Sequence, residues 1–98
     1  IPGGVDNENN AFKYFKITQT GICKCIPESS CNTVPVVKGT DMSLIIDSNE
    51  RQVAMIVIDP NGADYGSQIV CTFQVKASSD ESDWQIYGTP QQVYLKIA

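Results

Sequence analysis

The stretch QIVCTFQVKA, residues 68–77, decides how the rest of the chain is read. Ile69, Cys71, Phe73, Val75 and Ala77 recur at every second position, with Val70, Thr72, Gln74 and Lys76 between them. Successive side chains of an extended strand point to opposite faces, so this alternation predicts a strand with one face buried. Cys71 lies on that face, and its partner must come from ICKCIPESSC, residues 22–31, which holds the other three cysteines.

Working outward, the same period returns in Val93, Leu95 and Ile97, alternating with Tyr94 and Lys96, and in Met42, Leu44 and Ile46. RQVAMIVIDP, residues 51–60, is apolar on both sides, which predicts a central strand covered on two faces. In FKYFKIT, residues 12–18, the period slips between Phe12/Tyr14 and Phe15/Ile17, and a bulge there would account for it. Breaks rich in Gly, Pro, Asn, Asp and Ser separate these runs, notably at 27–32, 38–40, 47–49, 59–62, 78–83 and 88–90. Roughly seven or eight short strands with no helical period predict an all-β fold: a small disulfide-stabilised β-sandwich, immunoglobulin-like or a related Greek-key. The whole of 1–98 reads as a single domain, with 1–10 a flexible N-terminal segment.

A domain of 98 residues buries only a little more than about 60% of its unfolded surface, so covalent ties are expected. Zinc would want paired C-x-x-C or histidine ligands, but the spacings here are C-x-C and C-x5-C and the chain has no histidine. A redox centre would want C-x-x-C at a helix start. Disulfides remain. Cys23 to Cys71, tying two strands across the core, and Cys25 to Cys31, closing the IPESS loop, are the preferred pairs; Cys23 to Cys31 with Cys25 to Cys71 is the alternative.

The hydrophobic fraction of 42% fits a globular protein, and no apolar run approaches the roughly 18 residues of a membrane helix, so membrane insertion is not expected. With a net charge of −4 and seven cations scattered singly, nucleic acid is not an expected partner. The N-terminal IPGGVDNENN has neither an initiator Met nor signal-peptide character. With an even cysteine count it suggests a processed product or an ectodomain module, secreted or extracellular and monomeric.

Catalysis is not expected: without histidine the Ser-His and Cys-His schemes are absent, and a carboxylate pair would need a cleft around it. No cofactor motif is present. DPNGADYG, residues 59–66, departs from a calcium loop at Ala63, Asp64 and Val70 and reads as a tight turn; a calcium site on Asp59, Asn61 and Asp64 is its sharper alternative. If successive strands alternate in direction, one end of the sandwich gathers Glu28, Asp47, Glu50, Asp80, Glu81 and Asp83, beside Arg51. Such loops are acidic for solubility or form a working surface. Trp84, the only tryptophan, and Tyr87, on the other side of the same short strand, are the aromatic candidates for that surface, with burial in the core the plain alternative for Trp84.

CIPESSCNTVPVVKGTDMSLII, residues 25–46, resembles the C-x5-C loop, Lys-Gly turn and following strand of the mite group 2 allergens and their lipid-recognition relatives, which are longer and richer in cysteine. That resemblance implies a lipid held between two sheets. The principal expectation is a non-enzymatic binding module for a protein or cell-surface partner, in recognition or adhesion, using Glu50, Asp80, Glu81, Asp83, Trp84 and Tyr87. A small secreted effector or toxin and a lipid or small-molecule carrier are the alternatives.

Overall fold

The computed structural model describes residues 2–8 and 11–98. It is all-β. The strands are β1 (Pro2–Asp6), β2 (Tyr14–Gln19), β3 (Lys24–Ile26), β4 (Val36–Lys38), β5 (Leu44–Ile45), β6 (Arg51–Met55), β7 (Val57–Asp59), β8 (Gln68–Ser78), β9 (Gln85–Ile86) and β10 (Gln91–Lys96), with one 3-10 turn at Glu28–Ser30.

β8 is the spine. β2 and then β3 pair with one of its sides, and β9 and then β10 with the other, all antiparallel; β5 extends the sheet beyond β2. The alternation read from the sequence is kept: Ile69, Cys71, Phe73 and Ala77 are buried, with Phe15 and Ile17 of β2 beside them. In an antiparallel ladder a residue's N–H and C=O point to the same side. The Thr20 N–H donates to the Thr72 carbonyl, whereas the Tyr87 and Ile97 N–H groups donate to the Val75 and Ser67 carbonyls. Even-numbered residues of β8 therefore bond toward β2, and odd-numbered ones toward β9 and β10.

Both flanks of β8 are interrupted, and in the same way. Gln19 faces Phe73 and Lys24 faces Val70, so five steps along one strand oppose three along β8. Ile86 faces Lys76 and Gln91 faces Phe73, again five against three. Each flank carries two extra residues, and the two insertions meet at Phe73. The register of β2 itself is unbroken from Tyr14 to Gln19, so the bulge expected within FKYFKIT does not occur; Phe12 lies before the strand, and the distortion comes later, at 21–23.

The disulfides are Cys23–Cys71 and Cys25–Cys31, the preferred pairing, and there is no free cysteine. The role of the first differs from the expectation. It joins neighbouring chain segments within one sheet, with a Cα–Cα separation of 4.4 Å, and does not cross the core between sheets. The insertion at 21–23 brings Cys23 opposite Cys71 just before β3 resumes pairing.

Two further sheets, β1 with β6 and β4 with β7, pack on the core through Val5, Ile56 and Ile58. Within the 1–10 segment that the sequence reads as flexible, Pro2–Asp6 pairs as a strand, while residues 1, 9 and 10 lie outside the described residues; PGGVD offers no alternation to read, and Val5 is buried in the core. Asn7 anchors the end of that strand. Its buried amide donates to the carbonyls of Ile46 (2.8 Å) and Phe12 (3.1 Å). Gly39, at φ 89°, sits where a Cβ would strike the Met55 carbonyl oxygen, so glycine is required as β4 leaves β7.

RQVAMIVIDP does not become a strand covered on both faces. Ile56 and Ile58 turn inward, but Val53, Met55 and Val57 are 56%, 64% and 56% exposed. Met42 is likewise exposed, whereas Leu44 and Ile46 pack inward as expected. The structure establishes an all-β chain in several sheets with two disulfides. The described residues form ten strands, against seven or eight expected, because longer runs are broken at Ile56 and at the two insertions beside β8.

Candidate functional site

The sequence candidates cluster around the turn after β8. Asp80 is occupied by its own loop. Its carboxylate accepts the Ser82 N–H (3.0 Å), the Asp83 N–H (3.1 Å) and the Ser78 hydroxyl (3.0 Å). These donors, the two backbone amides first, hold its carboxyl far below the ordinary carboxylate range. Asp80 therefore shapes the 80–83 loop, and Glu81 and Asp83 stand exposed on it. Glu50 lies at the same end: Ile46 N–H donates to Lys13 O, Lys13 N–H to Ser78 O, and the turn from Asp47 to Glu50 follows directly. Glu28 does not join them. It follows β3, whose Ile26 pairs with Gln68, at the opposite end of β8 from Ser78.

Trp84 lies at the edge of the sheet, between full burial and full exposure. It is partly buried, with the Lys16 Nζ 4.4 Å from its ring centroid. Tyr87 turns the other way, making edge-on contacts with Phe15 (5.2 Å) and Phe12 (6.2 Å). Its hydroxyl donates to the Asp6 carbonyl (3.1 Å) and accepts the Glu8 N–H (3.2 Å). A side chain thus supplies the hydrogen bonds that a neighbouring strand would give to the outer edge of β1.

Beside Tyr87 opens a groove of about 1030 Å³ between β1 and the β9–β10 flank. Its floor is apolar, formed by Val5, Ile17, Ile56, Phe73, Val75 and Val93; Asp6, Glu8, Thr89, Gln91 and Gln92 supply the polar rim. Among the described residues no lysine or arginine lines it, and Arg51 reaches its rim through an exposed ion pair to Asp6 at 3.9 Å. The insertion at 88–90 creates the mouth. Gln74 is buried beneath it, its amide donating to the carbonyls of Val75 (2.8 Å), Gly88 (3.3 Å) and Tyr87 (3.4 Å). Val75 and Val93 sit on the inward face but are only partly buried, and both line this groove.

Of the sequence candidates, the groove contains Tyr87 alone. The rest of it was not readable in advance, since Val75 and Val93 carry the same alternation signal as fully buried neighbours. The 59–66 stretch is a turn: the Asp59 carboxylate accepts the Asn61 N–H (2.9 Å), and the Asn61 side chain donates to Val34 O (3.0 Å). Among the described residues no group of three or more His, Cys, Asp or Glu is arranged to hold a metal, and no helix is long and apolar enough to cross a membrane. Two intramolecular disulfides fit an oxidising or extracellular setting. No protein-family model, curated protein or solved structure matches the chain.

Proposed function

We propose that this protein is a non-enzymatic binding module of the extracellular space, an immunoglobulin-like scaffold that receives a protein partner in the groove between β1 and the β9–β10 flank. The carrying observation is the groove itself: an opening of about 1030 Å³ with an apolar floor and a polar rim on a covalently braced sheet. Binding sites of about 300 to 1,000 Å³ are commonly built this way, with few polar groups fixing orientation around an apolar base. The exposed carboxylates of Glu81 and Asp83 lie outside the groove and would steer a basic partner toward this face of the molecule.

A lipid or other apolar small molecule between the sheets is the second reading, supported by the same floor and by the resemblance over residues 25–46. Both readings require an accessible apolar groove, which Nile red, a neutral dye, probes directly. The expected result is saturable one-to-one binding with a blue-shifted emission, reduced at least tenfold by Val75→Arg, which fills the floor. Absence of binding to the disulfide-intact protein overturns the groove as the working surface.

A further inference from the structure

We propose that the occupant of the groove is an extended segment of a partner protein, added as a strand to the outer edge of β10, with apolar side chains at alternate positions and a basic residue facing Glu8. This rests on the groove being the binding surface. Among the described residues, β10 is the outermost strand on its side of the sheet. Odd-numbered residues of β8 bond toward it, so Gln91, Val93 and Leu95 are used within the sheet, whereas the N–H and C=O groups of Gln92, Tyr94 and Lys96 point away from β8. A lipid chain has nothing to offer those groups. A second backbone does.

The side chains point to the same occupant. Val93, Leu95 and Ile97 face inward and are only partly buried, so the apolar face of the sheet continues past its cover. A strand laid against β10 would turn every second side chain onto that uncovered surface. Usual protections of an edge are sparse: β10 has no proline and no bulge within Gln91–Lys96, and Lys96 is its only charge, at the far end. The facing edge of β1 is less available, because the Tyr87 hydroxyl already occupies it at Asp6 and Glu8. Arg51 already meets Asp6 at the rim, so the carboxylate of Glu8 is the one that selects a basic residue near the end of the segment that meets Gln91 and Gln92.

The test is panning a phage-displayed library of random dodecapeptides on the disulfide-intact protein, followed by a backbone N-methylation scan of an enriched synthetic peptide. The expected outcome is enrichment of alternating apolar positions with a flanking Lys or Arg, and at least tenfold weakening by N-methylation at every second residue only. Tyr94→Pro removes an outward N–H that makes no bond to β8, so it should weaken the peptide at least tenfold, while Tyr94→Ala stays within threefold. The methylation scan holds the question open to disproof even if the proline variant fails to fold. Uniform tolerance of N-methylation overturns strand addition. Failure to enrich any peptide while Nile red still saturates the groove also overturns it, yet leaves the groove reading standing; loss of Nile red binding removes both. A dimer in light scattering that Tyr94→Pro converts to monomer assigns the edge to a second copy and overturns the partner segment.

Discussion

The two flanks of β8 begin with the same distortion and end differently. On the β2–β3 flank, the two extra residues deliver Cys23 to Cys71, and the bond closes the gap; both sulfurs are buried. On the β9–β10 flank, the insertion is met by the amide of Gln74, and the sheet is left with an apolar mouth and an edge that no described strand pairs. An insertion in a strand pair is thus not in itself a defect or a site. What is placed opposite it decides. A covalent link turns one into a brace, and its absence leaves the other as an opening.

The largest expected effect is on the braced flank. Cys23 and Cys71 are 48 residues apart in sequence, and Cys25 and Cys31 only 6. In the chain-entropy model these loops correspond to about 4 and about 2 kcal/mol of stability respectively. Paired serine replacements, Cys23→Ser with Cys71→Ser against Cys25→Ser with Cys31→Ser, should separate in urea midpoint in that order. A first double variant no less stable than the second would show that the flank holds without its link and would break the contrast.

What the sequence made legible follows the same line. The alternation in 68–77 was readable because Ile69, Cys71, Phe73 and Ala77 are all buried, whereas the cysteine pairing was only half legible, since Cys23 with Cys31 would close a loop almost as small as Cys25 with Cys31. The groove was not readable, because alternation reports which way a side chain points and not what lies over it. Val75 and Ile69 look alike in sequence, yet Ile69 is fully buried and Val75 lines the groove. The same limit explains residues 51–60, where apolar side chains on both faces implied burial on both, yet Val53, Met55 and Val57 face outward with no second layer above them. β1 was missed for the opposite reason, its pairing being carried by backbone and by Asn7.

A smaller effect is expected at the wall of the open flank. Tyr87→Phe keeps the edge-on contacts with Phe12 and Phe15 and removes the hydrogen bonds to Asp6 and Glu8. Such bonds at a solvent-facing position contribute about 1 kcal/mol net. Denaturant unfolding should show a loss of about that size, and amide exchange should quicken at Glu8 while Cys71 and its neighbours stay protected. Equal loosening on both sides of β8 would mean that Tyr87 supports the whole sheet and not the edge of β1 alone.

The smallest effect concerns the loop that leads from β8 into the open flank. Asp80 gathers the amides of Ser82 and Asp83 and the Ser78 hydroxyl on one carboxylate, and Ser78 is fully buried at the end of β8. Because these donors depress the folded-state pKa of Asp80, its contribution is complete above the unfolded value of about 3.9 and is lost only as pH falls toward the lower folded value. At pH 3, where an ordinary aspartate is mostly protonated, the Ser82 and Asp83 amides should therefore remain protected in hydrogen-exchange NMR. Asp80→Ala should remove that protection at neutral pH without shifting the urea midpoint, since the group is wholly solvent-facing and its work is local. If the midpoint moved as well, the 80–83 loop would be part of what holds β9 against β8, and the open flank would have a brace of its own.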